Sequence, residues 1–192
     1  MSTWIERQIA MPGPLRLLHG ERTTLRELAA VYLGALAFTL GLVIAFGEDV
    51  AGLEPLRLGL LVLVALDLAG GAVANLCDGT RAYWRSRSRG HRLAFLAVHA
   101  AHAAAIAFIF PGSASAALLA WGWVMGAGIV LTVSPRTLRG EATAMALALA
   151  GMVTVSLAPG LSPAAGLLLG VYLIKLVFSF GGGSTTRPSG DL

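Results

Sequence analysis

The sequence predicts an all-α protein, a polytopic membrane bundle of six transmembrane helices with both termini on the cytoplasmic side. Three observations carry that reading. The 192 residues are 56% hydrophobic and only 12% charged, whereas a soluble domain carries about 25% charged residues. Six apolar stretches approach the roughly 20 residues that a helix needs to cross about 30 Å of hydrocarbon. The arginines, finally, fall almost entirely on one side of a six-span arrangement.

Taken in order, residues 1–27 form a cytoplasmic or interfacial segment. Trp4, Ile5, Ile9, Met11 and Leu15 lie among arginines, as in a short helix lying at the membrane interface. A disordered tail is the alternative, because Met11-Pro12-Gly13-Pro14 cuts such a helix short. The same interruption, with acids nearby, argues against a cleavable signal peptide, so the N terminus is expected to be retained. Thr24-Leu25-Arg26-Glu27 has the form of a capping box and opens the first span, 28–46. The remaining spans are expected at 58–77, 93–110, 114–133, 142–158 and 164–180, the last two short for a full crossing. Between them stand Gly47-Glu48-Asp49, Pro111-Gly112-Ser113, Ser134-Pro135 and Pro159-Gly160-Leu161-Ser162-Pro163, where glycine and proline end helices. No polar block is long enough to fold alone, so 28–180 is one membrane domain. Residues 181–192, GGGSTTRPSGDL, have the composition of a flexible tail.

Cytoplasmic loops accumulate basic residues. Arg7, Arg16, Arg22 and Arg26 precede the first span. Arg81, Arg85, Arg87, Arg89 and Arg92 lie between the second and third, Arg136 and Arg139 between the fourth and fifth, and Arg187 in the tail. On the opposite side Arg57 stands alone beside Glu48, Asp49 and Glu54. Both termini are therefore predicted to be cytoplasmic. The many arginines against a single lysine, with abundant Ala, Gly and Leu, match the bias of a GC-rich bacterial genome, so the expected location is a bacterial cytoplasmic membrane. A lone cysteine, Cys77, cannot form an internal disulfide.

The basic run from Tyr83 to Arg92 interleaves aromatics with arginines, but it needs no nucleic acid. Tyr and Trp at a helix end followed by cytoplasmic arginines form an aromatic belt with a positive-inside flank. The 81–92 loop is expected to contact anionic lipid, at about 1 kcal/mol per basic residue near the surface. Trp121 and Trp123 are read as interfacial in the same way.

The chemistry concentrates in polar residues within the spans. Asp67 lies about 15 Å along the second span and His102 about 14 Å along the third, at 1.5 Å per residue, so they share a depth. Asp67, Gly71, Ala74 and Asn75 fall on one face of the second helix, bordered by Gly70. His99 and His102 share a face of the third. Lys175 lies on the last span, on a face with Tyr172 and Ser179. An ionised group at mid-helix costs at least about 2.5–3.5 kcal/mol, so Asp67 is expected to face protein or water and to have a partner, His102 or Lys175. Gly70, Gly71 and Ala74 would let a neighbouring helix approach. Lys175 could instead snorkel to the cytoplasmic interface. Gly122-x-x-x-Gly126 is a helix-packing motif.

Asp67, Asn75, His99, His102 and Lys175 thus form a candidate polar centre for proton exchange or transport, because an Asp–His pair in low dielectric can exchange a proton near neutral pH. In an alternative reading Asp67, His99 and His102 hold a metal such as Zn²⁺ with an open fourth position, in a membrane enzyme acting on a lipid or isoprenoid head group. In a third, the polar groups are interhelical hydrogen bonds in a non-catalytic scaffold or accessory subunit. Haem held by both histidines conflicts with their position on one face of one helix, and a di-iron carboxylate site needs several acids. No catalytic residue and no cofactor is assigned. A homo-oligomer or a membrane partner is compatible with the composition.

Asp67-Leu68-Ala69-Gly70-Gly71-Ala72-Val73-Ala74-Asn75 partly resembles the CDP-alcohol phosphotransferases, six-helix lipid-synthesis enzymes with the motif D-x-x-D-G-x-x-A-R followed by G-x-x-x-D-x-x-x-D. Asp67, Gly71 and Ala74 match. Gly70 stands where that family has its second aspartate, Asn75 where it has arginine, and His99 and His102 do not reproduce the spacing of the two later aspartates. Three of the four metal-binding acids that the resemblance implies are missing. The pattern D-x-x-G-G-x-x-x-N, with a following tyrosine and a histidine-bearing third helix, also resembles small uncharacterised bacterial membrane proteins over about forty residues. That second resemblance implies no activity.

Overall fold

The structure is a computed structural model and describes residues 4–133 and 140–182. The expected loop with Ser134, Pro135, Arg136 and Arg139, and the tail from 183 with Arg187, lie outside the described residues.

The amino-terminal segment is neither one interfacial helix nor a tail. A 3₁₀ turn at Trp4–Glu6 leads into β1 (Gln8–Ala10), which pairs antiparallel with β2 (Arg22–Thr24) in the register Ile9 opposite Thr23. Between the strands lie a second 3₁₀ turn at Gly13–Leu15 and α1 (Arg16–His19). Pro12 and Pro14 break the helical run, as expected, but the chain uses the break to turn back on itself. Gly20 closes the turn at φ 75°, a conformation that glycine adopts without penalty. Its backbone passes so close to that of Gly79 that a Cβ on either would overlap main-chain atoms of the opposite segment.

The expected capping box is present. Glu27 N donates to Thr24 Oγ1 at 3.2 Å and Thr24 N to Glu27 Oε2 at 2.8 Å, which starts α2 (Leu25–Ala45). A short α3 (Gly47–Ala51) leads to α4 (Pro55–Ala74), with proline in its first turn, where its missing N–H is not needed. The basic run is helical rather than a loop. It forms α5 (Asp78–Arg85) and the start of α6 (Arg89–Val98), which meets α7 (Ala100–Ile109) at a break on His99. Then come α8 (Ala114–Val133), α9 (Glu141–Ser156) and α10 (Pro163–Leu173), the last running directly into a π-helical segment, Ile174–Gly182.

Among the described residues five helices are long and apolar enough to cross a membrane: Leu25–Ala45, Pro55–Ala74, Arg89–Ile109, Pro111–Val133 and Pro163–Gly182. Glu141–Ser156 is shorter. The protein is a helical multi-pass membrane bundle. The last span is its centre and the first its periphery, since 72% of the apolar window of Pro163–Gly182 is buried against 22% for Leu25–Ala45. Helix α4 packs against α2, α7, α10 and the π segment. Leu61, Val64, Ala65 and Leu68 face the core, while Gly70 takes the opposite side, where a Cβ would stand 3.4 Å from Ala35 and 3.7 Å from Val31.

Polar ties hold each end. At one, Asp49 accepts from Ala164 N at 3.0 Å, which places a carboxylate at the positive end of α10. At the other, α1 docks on α5, with Thr80 Oγ1 donating to Leu18 O at 2.8 Å and Trp84 Nε1 to Leu17 O at 3.2 Å. Arg81, counted above with the lipid-facing arginines, pairs with Glu141 at 2.9 Å. His19 is 2% exposed and lies 2.9 Å from the Tyr32 hydroxyl. Burial holds its pKa below the usual 6.5, against a smaller opposing pull from Glu27. A folded-state pKa below the unfolded one means that the unfolded chain binds the extra proton first. The contribution is complete above pH 6.5 and is lost as pH falls through the depressed folded value. Mild acid should therefore unfold the wild type more readily than His19→Gln, as read by thermal denaturation across pH 4–7; parallel curves for the two would refute it.

Candidate functional site

Asp67 lies about 18 Å along α4 at 1.5 Å per residue, facing the junction of α7 and the π segment. Its Oδ2 accepts from His102 Nε2 at 2.6 Å and from the Lys175 ammonium, which also donates to the Asp67 carbonyl at 3.3 Å. Lys175 thus turns to Asp67 rather than to an interface, and its side chain is only 4% exposed. Both expected partners are found, on the same oxygen.

The break on His99 presents the two imidazoles together. Their rings stack with centroids 4.8 Å apart and planes at 15°. His99 Nδ1 donates to Phe95 O at 2.7 Å, which fixes the tautomer of a neutral ring and leaves Nε2 without a hydrogen. His102 offers Nε2–H to the carboxylate, and its Nδ1 is buried without a partner.

Asn75 does not join the carboxylate. It caps α4, and its Nδ2 donates to the backbone carbonyl of Lys175 at 3.2 Å. In a π-helix hydrogen bonds run from i to i+5, and Asn75 holds the carbonyl at the residue whose side chain reaches Asp67. Two residues outside the expected centre complete it. The Tyr172 hydroxyl, fully buried, donates to His99 O at 3.1 Å. Phe95 supplies the carbonyl for His99 and stacks on Phe180 at 4.5 Å. The polar tip of Tyr172 one turn before Lys175 was a readable signal; a backbone carbonyl leaves none.

The glycine seam serves two neighbours. Gly70 admits α2, whereas Gly71 admits Lys175, whose stem lies where a Gly71 side chain would be. Ala74 is fully buried. The carboxylate itself is only partly enclosed, with 45% of its side chain exposed. It lines a crevice of about 310 Å³ between α2 and α4, with Val31, Tyr32, Ala35, Leu63 and Leu66 as walls.

Asp67, His99 and His102 offer ligand atoms within 4.8 Å of one another. The donor set suits zinc in type, but the Asp67 and His102 atoms are engaged with each other. The Asp67 oxygen already accepts from a cation, and His102 directs an N–H, not a lone pair, at it. A dication there would face the Lys175 ammonium. The arrangement fits an ion pair relayed to imidazole better than a metal centre.

Gly122 and Gly126 meet no atom within 4 Å at their Cβ positions and line an open apolar groove of about 720 Å³ on α8 and α9, so no helix among the described residues uses the motif. Trp123 packs against α9. Its Nε1 donates to Leu147 O at 2.8 Å and its ring fills the space left by Gly151. Cys77, just beyond α4, is a poor nucleophile, because burial pushes its thiol up to about 11.

Fold and site together define a multi-pass helical membrane protein with a carboxylate, an ammonium and an imidazole in hydrogen-bond contact inside the bundle. Compared with known protein families, with curated proteins and with solved structures, the chain matches none.

Proposed function

We propose that the protein handles protons together with a small solute, through Asp67, His102 and Lys175, with His99, Tyr172 and Asn75 holding them in place. The observation that carries this reading is the single Asp67 oxygen shared by two proton-bearing groups on two other helices. Intramembrane ionisable residues mark ion and substrate pathways by default. Moving a proton onto the carboxylate, or off the ammonium, changes the attraction between α4 and the π segment, so protonation is coupled to helix contact. In liposomes loaded with a pH-sensitive dye, wild type should dissipate an imposed pH gradient faster than Asp67→Asn; equal rates would defeat the reading.

The bundle is proposed to sit in a bacterial cytoplasmic membrane with six spans, Glu141–Ser156 crossing as the fifth. At 1.5 Å per residue its 16 residues reach about 24 Å, and a short span is accommodated by local thinning of the bilayer. Both termini are then cytoplasmic, with Arg87 and Arg89, both exposed, directed at anionic lipid. A reporter that fluoresces only in the cytoplasm should be bright at either terminus. A dark carboxy-terminal fusion beside a bright amino-terminal one would mean an odd number of spans.

A further inference from the structure

We propose that the crevice between α2 and α4 takes a lipophilic primary amine in its ammonium form, which replaces the Lys175 ammonium on Asp67. The inference rests on the proton-linked reading of the same centre and names its substrate class. Three observations carry it. The crevice walls are apolar apart from Asp67 and the Tyr32 hydroxyl, and Asp67, which lines the crevice, keeps 45% of its side chain exposed. A part-exposed carboxylate at that depth is costly even with His102 and Lys175 on one oxygen, and a cation with an apolar body satisfies both the charge and the walls. Second, the centre already binds such a group, because Lys175 is an alkyl chain ending in a primary ammonium. Third, Gly71 lines the crevice and touches the end of that chain, so an incoming amine approaches the same carboxylate with only a glycine between it and the lysine.

The exchange balances. The incoming ammonium forms its hydrogen bond to Asp67, the Lys175 ammonium gives up its own, and one proton passes from Lys175 to water. Lys175 is left neutral beside the Asp67 carbonyl, and the charge of the centre is unchanged. The other titratable groups facing it are His102 and His99 from the third span and Tyr172 from the last. On the crevice side there is Tyr32, whose hydroxyl is engaged by His19.

Octylammonium binding to the full chain in nanodiscs tests this, by calorimetry in two buffers of different ionisation heat, with empty nanodiscs as blank. Octylammonium should bind with release of about one proton, and octanol, of the same length but uncharged, about tenfold more weakly or worse. Asp67→Asn should lose binding. Because that variant also disturbs Lys175, Leu66→Trp provides a second arm, filling the crevice from its wall without touching the Asp67–Lys175 pair, and it too should lose binding. Equal binding of octanol, binding without proton release, unchanged binding in Leu66→Trp, or no binding above the blank would each overturn the proposal. Absent binding with intact Asp67-dependent flux removes the amine and leaves the proton-linked reading. Binding with proton release but no such flux does the reverse.

Discussion

Asp67→Asn is expected to destabilise the bundle by about 3 kcal/mol, the cost of leaving one member of a buried ion pair without its counter-charge. The amide keeps the shape and an acceptor oxygen, but the Lys175 ammonium, 4% exposed, meets no other acid among the described residues. Lys175→Met should cost less, because the remaining carboxylate keeps the His102 hydrogen bond and is 45% exposed. The double variant, with neither charge, should recover about 2 kcal/mol relative to Asp67→Asn alone, since replacing a whole buried pair is often neutral. Unfolding by denaturing detergent, run as a double-mutant cycle, measures the coupling directly. Strictly additive losses would show that the two groups do not hold each other.

Gly71→Ala should have the next largest effect, through the same pair. The new Cβ overlaps the end of the Lys175 side chain rather than backbone, so the lysine yields and the helices do not separate. The expected result is a loss of about 1–3 kcal/mol together with loss of the coupling between positions 67 and 175. Gly70→Ala is the internal comparison, because its Cβ would meet Ala35 at 3.4 Å, an ordinary contact, and it should stay within about 0.5 kcal/mol of wild type. If the two alanines behave alike, steric exclusion by Lys175 is not why residue 71 is glycine.

The centre was largely legible because depth and face follow from helical rise and period. Asp67 and His102 share a level, and the buried face of the last span carries Tyr172 and Lys175. What the periodicity could not give was register beyond the α-helix. The turn at Ile174–Gly182 follows i to i+5 bonding, which leaves the hydropathy pattern unchanged, and Asn75 reads as part of a polar face until its bond to the Lys175 carbonyl is seen. A glycine pair next to an aspartate signals close approach without saying which neighbour approaches: Gly70 meets α2, Gly71 meets a side chain, and the carboxylate between remains open to the crevice. Gly122 and Gly126 show the limit of a motif, a spacing that permits a partner without supplying one among the described residues. The amino-terminal hairpin was missed because its strands are three residues each and the proline pair masks the alternation.

The docking of α1 on α5 also orders the birth of the protein. The strands β1 and β2 can meet once residue 24 has left the ribosome, but the carbonyls of Leu17 and Leu18 find their donors only in Trp84 and Thr80, more than sixty residues later. The amino-terminal cap can therefore latch only after the whole Asp67 helix has been synthesised, like a clasp fastened once its contents are in place.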